Sequence, residues 1–330
     1  MSADRADRSK IGFIAIGRNE GERLERCLES VRGELDRIVY VDSGSEDQSV
    51  AFARGLGAEV VELDPSKPFT AARGRNEGFD HLIAKWPDTE LIIFFDGDCS
   101  LADGFIDAAA NALRANAGWG IVVGRVREIY PDATVYNRLC DLEWQGPVGE
   151  IHTSGGRFMI RKEAFAKAGG FNPAVIAAED DEFCIRVRRE GYTIHRIEDD
   201  MCFHDAAMTS FSQWWRRSVR AGYGYAHVGS TYRDYFRPER ARAWAWGLGL
   251  PLAALILAPF TFGLSLLLFG LYPLSFVRTR ANLKRDGAAA RDATIGAAFL
   301  TISKFPNLAG MLDYWRKRAF GQAIAIVEYK

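Results

Sequence analysis

Two carboxylates, Asp96 and Asp98, flank a single glycine at the end of an apolar run, Leu91 to Phe95. A strand buried on both faces reads as continuous apolar sequence, and its end is where the chain surfaces. In open α/β sheets, ligands lie outside the carboxyl ends of the strands. Gly97 allows a tight turn, so Asp96 and Asp98 can reach a common point. Hard oxygen donors at such a point suit Mg2+ or Mn2+, which hold a diphosphate through its oxygens. A solvated turn could use the same three residues, so the weight falls on three other clusters.

The first is Ile14 to Glu20, an apolar strand running into the polar turn Gly17-Arg18-Asn19-Glu20. No GxxxxGK(S/T) or GxGxxG follows any of these strands, so a metal rather than a glycine-rich loop must supply positive charge to phosphates. The second is Arg73 to Gly78, in which the Arg75 guanidinium could fork onto a phosphate or a base carbonyl. The third is Glu179-Asp180-Asp181-Glu182, four consecutive carboxylates opening a helix. Acidic residues there gain ~0.3–1 kcal/mol each from the helix dipole. Four in a row repel one another, so at least one serves something other than stability. A carboxylate facing a bound sugar could deprotonate an acceptor hydroxyl as general base. His204 could complete a metal site begun by Asp98.

The elements that position these residues alternate between strand and helix, the pattern of a mostly parallel sheet covered by helices. Strands are expected at Ile11 to Ile16, Arg37 to Val41, Ala58 to Leu63, Leu91 to Phe95 and Gly120 to Ile129. Ser45 with Gln48 fits a capping box that opens the second helix. Helices are also expected through Asn76 and Leu82 and over Asp180 to Glu190. Asp42 and Asp96 both stand at strand ends, where a ligand would lie.

Ala243 to Val277 is a stretch of thirty-five residues without a charge or histidine. A continuous helix of that length would reach ~50 Å, well beyond the ~30 Å of bilayer hydrocarbon. Pro259 and Gly263 divide it into two pieces, each shorter than a comfortable span. Both flanks are basic, which keeps both ends cytoplasmic and implies a hairpin that enters the membrane and returns. Trp244, Trp246 and Tyr272 suit an aromatic belt, and the tail from Ala293 to Lys330 suits an interfacial helix. The expected organisation is a catalytic domain over 1–229, a membrane-associated hairpin over 230–292 and an amphipathic tail over 293–330. From Asp205 onward the chain holds seventeen Lys and Arg against seven Asp and Glu, a net +10, which leaves −11 before it. That asymmetry suggests an anionic membrane surface as partner and excludes nucleic acid for the acidic half. Five scattered cysteines without a CxxC pair argue for a reducing compartment and against structural zinc. The polar segment Met1 to Lys10 has no apolar core, so no signal peptide is expected.

Together these motifs resemble those of the family 2 glycosyltransferases, inverting enzymes of the GT-A fold, over roughly Lys10 to Gly229. Ile14 to Glu20 is similar to the family's opening nucleotide-binding turn, which includes Gly17, Arg18 and Glu20. Asp42 to Asp47 resembles its base-recognising acidic turn. Arg75-Asn76-Glu77-Gly78 matches its Arg-Asn-x-Gly helix, and Asp96-Gly97-Asp98 its metal-binding DxD element. Gly155-Gly156 with the following residues, through Gly169-Gly170-Phe171, resembles the donor-sugar loop and its helix. Glu179-Asp180 resembles the Glu-Asp pair whose aspartate is the base, although Asp181 beside it leaves that assignment open by one position. His204 occupies the place of the distal metal ligand, beside Asp98 and Asp96. Gln213-Trp214-Trp215-Arg216-Arg217 departs from the Gln-x-x-Arg-Trp element of processive synthases, since Trp precedes Arg.

The resemblance implies Mg2+ or Mn2+, a nucleotide-sugar donor (UDP before GDP) and a lipid-linked or oligosaccharide acceptor. The implied setting is cell-envelope polysaccharide or glycolipid synthesis at the cytoplasmic face of the inner or plasma membrane. The alternatives are a nucleotidyltransferase, which should show a basic glycine-rich loop after the first strand, and a non-catalytic scaffold, which should show a damaged Asp-x-Asp or Glu-Asp.

Overall fold

The computed structural model describes residues 6–321 of the chain. The ends of the expected N-terminal segment and tail, 1–5 and 322–330, lie outside the described residues. The strands are β1 (Ile11–Gly17), β2 (Arg37–Asp42), β3 (Glu59–Glu62), β4 (Leu91–Asp96), β5 (Cys99–Leu101), β6 (Trp119–Glu128), β7 (Gly149–Ile151), β8 (Phe158–Arg161) and β9 (Thr193–His204). The helices of the first part are α1 (Glu22–Glu29), α2 (Ser49–Gly55), α3 (Ala71–Lys85), α4 (Phe105–Ala115), α5 (Val135–Trp144), α6 (Lys162–Lys167) and α7 (Glu179–Arg189). Those that follow are α8 (Phe211–Thr231), α9 (Arg237–Trp244), α10 (Leu250–Ile256), α11 (Leu271–Arg285), α12 (Ala290–Ile302) and α13 (Lys304–Ala319).

The strands form one sheet in the order β3-β2-β1-β4-β8-β6-β9-β5, with β7 also on β9. β1 to β4 are mutually parallel, as the alternating pattern requires. Beyond β4 the sheet turns mixed: β8 runs antiparallel to β4, and β5 antiparallel to β9. Register sets the site. Ile16 faces Asp96 and Gly17 faces Asp42, so the acidic strand ends share one edge. Beneath it lie Phe94, Phe158, Phe165, Phe171 and Phe183, with Phe171 stacked on Phe183 at 4.3 Å and Phe94 on Phe165 at 5.2 Å. Such pairs add ~0.5–1.5 kcal/mol each beyond the area they bury.

The chain divides into two compact units, Met1–Ile129 with Glu143–Ala206, and Tyr130–Leu142 with Ala207–Lys330. In the second unit, α8 and α13 cross with their backbones nearly touching. A Cβ on Gly222 would collide with the Asn307 carbonyl and one on Gly310 with that of Val219, so both positions require glycine. Arg138 forks onto Asp292 at 2.9 and 2.6 Å and ties α5 to α12. The apolar stretch is a hairpin, with the expected breaks at Pro259 and Gly263 falling between its arms. The arm through α10 ends at Ile256, two short 3-10 turns follow, and the return arm is α11. The Tyr272 hydroxyl donates to the Trp246 carbonyl across the arms. The tip leaves Leu255, Ile256, Phe260, Phe262, Leu264 and Leu267 exposed, Phe262 at 98%. Among the described residues, one helical stretch, 290–319, is long and apolar enough to cross a membrane by length and composition.

One local expectation is corrected. The Ser45–Gln48 capping box is absent: α2 starts at Ser49, and Gln48 caps it without a side-chain bond. The Ser45 hydroxyl instead accepts from the Asn19 N–H at 2.9 Å. The tight turn expected at Gly97 is present, and it forms without a positive φ. A Cβ there would lie 3.3 Å from both the Ile16 carbonyl and the Glu20 Cγ, a tight approach that favours glycine.

Candidate active site

The carboxyl edge of the first unit gathers the expected residues into one charge network. Arg75, in the first turns of α3, is buried, and its Nη2 donates to Asp96 Oδ1 at 2.8 Å while Nη1 donates to Glu179 Oε1 at 3.1 Å. Burial works against its charge, yet Asp96 and Glu179 outweigh that and hold it above the usual arginine range. The rest of the Arg-Asn-x-Gly motif is structural. Asn76 accepts from the Phe171 N–H and donates to its carbonyl, both at 2.8 Å, which clamps the Gly169-Gly170 turn. Gly78 lets α3 settle onto Ile14 and Val41, which a Cβ would meet at 2.6 and 2.8 Å.

The four carboxylates of α7 separate into different duties. Glu179 serves Arg75. Glu182 is paired with Arg186, whose guanidinium also reaches the Ala168 and Gly170 carbonyls. Asp180 stays in the site, and its carboxyl is pushed up to about 6, first by burial and then by the charge of Glu179, with Arg75 opposing. Asp180 and Asp181 are both of intermediate exposure.

Asp98 is buried against His204, with Oδ2 at 3.2 Å from Nε2. The cause is strand register: β5 begins one residue after Asp98, and Cys99 lies opposite His204 on β9. Asp98, Cys99 and His204 offer ligand atoms within 4.8 Å of one another. Burial holds the Cys99 thiol well above its usual pKa, and its soft sulfur is a poor match for a hard cation. A carboxylate and an imidazole remain, a donor pair able to hold a divalent cation. His204 is stacked on Trp144 at 4.4 Å.

The remaining expected residues take varied places. Gly155 and Gly156 both have positive φ (69° and 82°), and a Cβ on Gly156 would lie 3.0 Å from Arg75 Nη2. Asp42 is buried, accepting from the Tyr40 hydroxyl and from the N–H groups of Gly44 and Ser45 at 2.8–3.0 Å. Glu20 pairs with Arg23 at 2.9 Å. Arg18 is exposed, with its guanidinium carbon 5.8 Å from the Phe69 ring centre, and Gly17 ends β1. In the second unit, Gln213 completes a capping box with Ser210 at the start of α8, and Trp214 is buried against Phe299. That accounts for both residues structurally. Sequence reasoning did not single out Arg157 or Trp144. Arg157 had a signal, its position directly after Gly155-Gly156; Trp144 had none.

Two family models match the chain: Glycosyl transferase family 2 over residues 14–169, and Glycosyl transferase family group 2 over residues 144–302. The chain is 24% identical over 227 residues to the O-antigen chain rhamnosyltransferase RfbN of Salmonella typhimurium, covering 63% of this chain and 70% of that one. Two other curated relatives are matched over only 22% and 29% of their own length. The fold is similar to that of the mannosyltransferase PcManGT of Pyrobaculum calidifontis, solved with GDP-Man and Mn2+. The TM-score is 0.56 at 18% identity, over 98% of this chain and 92% of the other. It is also similar to residues 1–349 of TarS from S. aureus, with a TM-score of 0.51 at 14% identity, over 96% and 93% of the two chains. The chain belongs to the family 2 glycosyltransferases, and its helix-flanked mixed sheet is the GT-A fold.

Proposed function

We propose that the protein moves a sugar from a nucleoside diphosphate sugar to a membrane-lipid-linked acceptor, inverting the anomeric carbon, in cell-envelope polysaccharide or glycolipid synthesis. The donor base expected is uridine. The observation that carries this reading is the meeting of Asp96, Asp98, Arg75, Glu179, Asp180 and His204 at one sheet edge, joined by the contacts of Arg75 and the Asp98–His204 pair.

Asp98 and His204, with Asp96 beside them, would hold Mg2+ or Mn2+. Bound there, the ion would neutralise charge on the departing nucleoside diphosphate. Asp180 would accept the proton of the acceptor hydroxyl as that oxygen attacks in line, and no covalent enzyme intermediate forms. A carboxyl raised to about 6 is suited to this, being ionised at neutral pH yet more basic than a solvated aspartate. Arg75 fixes Asp96 and Glu179, which sets the electrostatic background before substrate arrives. The positive-φ pair Gly155-Gly156 would let backbone approach the donor sugar closely.

The acceptor reading rests on the hairpin. Its exposed apolar tip is of the kind that marks a membrane-binding surface. The basic residues Arg237, Arg240 and Arg242 on one flank, and Arg278, Arg280, Lys284 and Arg285 on the other, favour the cytoplasmic face. Purified protein in liposomes, offered UDP- and GDP-sugars with polyprenyl-diphosphate oligosaccharide, glycerolipid or soluble oligosaccharide acceptors, tests the proposal. A glycolipid product whose anomeric configuration is inverted by NMR is expected. Retained configuration, or transfer confined to soluble acceptors, would refute it.

A further inference from the structure

The reaction as laid out leaves one buried cation without a task. Arg157 is 8% exposed and directly precedes β8, where Phe158 pairs with Phe94 two residues before Asp96. Its Nη1 lies 3.4 Å from Asp96 Oδ2, 3.4 Å from His204 Nδ1 and 3.9 Å from Cys99 Sγ. Guanidinium–carboxylate bonds ordinarily close to ~2.7–2.9 Å, so none of these contacts is a strong one. Arg75, by contrast, reaches one of its carboxylates at 2.8 Å. The Nε of Arg157 is buried with no hydrogen-bond partner among the described residues. A desolvated donor on a cation is costly unless an acceptor reaches it.

The His204 contact is also conditional. Arg157 can donate to Nδ1 only while the ring proton sits on Nε2, facing Asp98. A lone pair on Nε2 for a cation requires the proton on Nδ1, which ends that contact and leaves Nη1 beside Asp96 and Cys99.

We propose that Arg157 is a diphosphate-binding residue that forks onto the sugar-bearing phosphate of the donor and stays with it as the leaving group departs. The proposal rests on the nucleotide-sugar reading above. In the step it assists, the bond from the anomeric carbon to the phosphate oxygen breaks and its electron pair stays on the phosphate. The acceptor oxygen bonds to the same carbon, and the acceptor proton goes to Asp180. Arg157 supplies fixed positive charge and two parallel donors where negative charge gathers.

Calorimetric titration of the full chain in detergent with UDP, UMP, GDP and GMP, with saturating Mn2+ and again in EDTA, tests this. Wild-type protein is expected to favour the diphosphate of at least one base over its monophosphate. Arg157→Ala should weaken that diphosphate about tenfold or more and leave the monophosphate within about twofold. Arg157→Lys, which keeps the charge and guards against a folding defect, should fall between. Equal loss for diphosphate and monophosphate, or unchanged diphosphate affinity in both variants, would overturn the role of Arg157 alone. Wild-type protein that binds none of the four nucleotides would overturn the nucleotide-sugar reading and this role with it.

Discussion

His204 Nε2 lies 3.2 Å from Asp98 Oδ2 because a three-residue strand sets the register of two distant segments. Cys99 of β5 faces His204 of β9, and the Asp205 N–H donates to the Asp98 carbonyl at 3.2 Å. The acidic turn at the end of β4 is thereby joined to the far edge of the sheet.

If that pair holds the metal, Asp98→Ala and His204→Ala should each lower Mn2+ affinity by about tenfold or more, read by electron paramagnetic resonance in the presence of nucleoside diphosphate. Cys99→Ser is the control. Soft sulfur is a poor ligand for a hard cation, so its loss should change affinity by less than about threefold. A Cys99 variant that loses the ion would place sulfur in the coordination sphere.

Asp180→Asn should lower turnover by ~10²–10⁴ while donor affinity stays within a few-fold, the pattern of a lost general base. Asp181→Asn should be mild; the reverse ranking would move the base one residue along. The pH profile carries a second check. The base works as carboxylate, so kcat/KM should rise through an acidic limb near 6. Stability runs the other way. The folded carboxyl holds its proton more tightly than the unfolded one, so this group's contribution is full at low pH and is lost as pH rises through about 6. Asp180→Asn should therefore melt higher than wild type at pH 8, with the difference closing toward pH 4.

Arg75 links the two halves of the network. Arg75→Met would remove the guanidinium from Glu179 and one partner from Asp96, and breaking a buried pair in this way costs ~3–5 kcal/mol, measurable by denaturant titration. Because the Arg75 charge lowers the Asp180 carboxyl, the acidic limb of kcat/KM should also move to higher pH. An unmoved limb would mean that Asp180 is not the group titrating.

Much of this was legible in sequence, and the exceptions have physical causes. Leu91 to Phe95 showed its strand because both faces are buried, and Arg75-Asn76-Glu77-Gly78 was visible as a motif. The partners of Arg75 were not, since salt bridges between distant segments leave no periodic trace. β5 escaped because three residues cannot display alternation, and with it went the reason His204 reaches Asp98. Ser45 and Gln48 had the spacing of a capping box, but tertiary partners at Asn19 claimed the hydroxyl. The same motif at Ser210 and Gln213 passed unread beneath a resemblance to a processivity element.

The hairpin should be the membrane contact. Replacing Leu255, Phe260, Phe262 and Leu267 with serine should shift protein from anionic liposomes to the soluble fraction in flotation, leaving nucleoside diphosphate affinity unchanged. Cysteines introduced at Arg237 and Lys284 should stay protected from an impermeant reagent in intact cells. Labelling of either one would mean an odd number of crossings.

Nucleoside diphosphate release from the preferred nucleotide-sugar, measured in liposomes with acceptor while EDTA is titrated in and Mn2+ or Mg2+ restored, tests the central claim most directly. Release should fall to background with chelation and return with the metal, and Asp98→Ala should stay at background throughout. Undiminished release in excess EDTA would contradict the account.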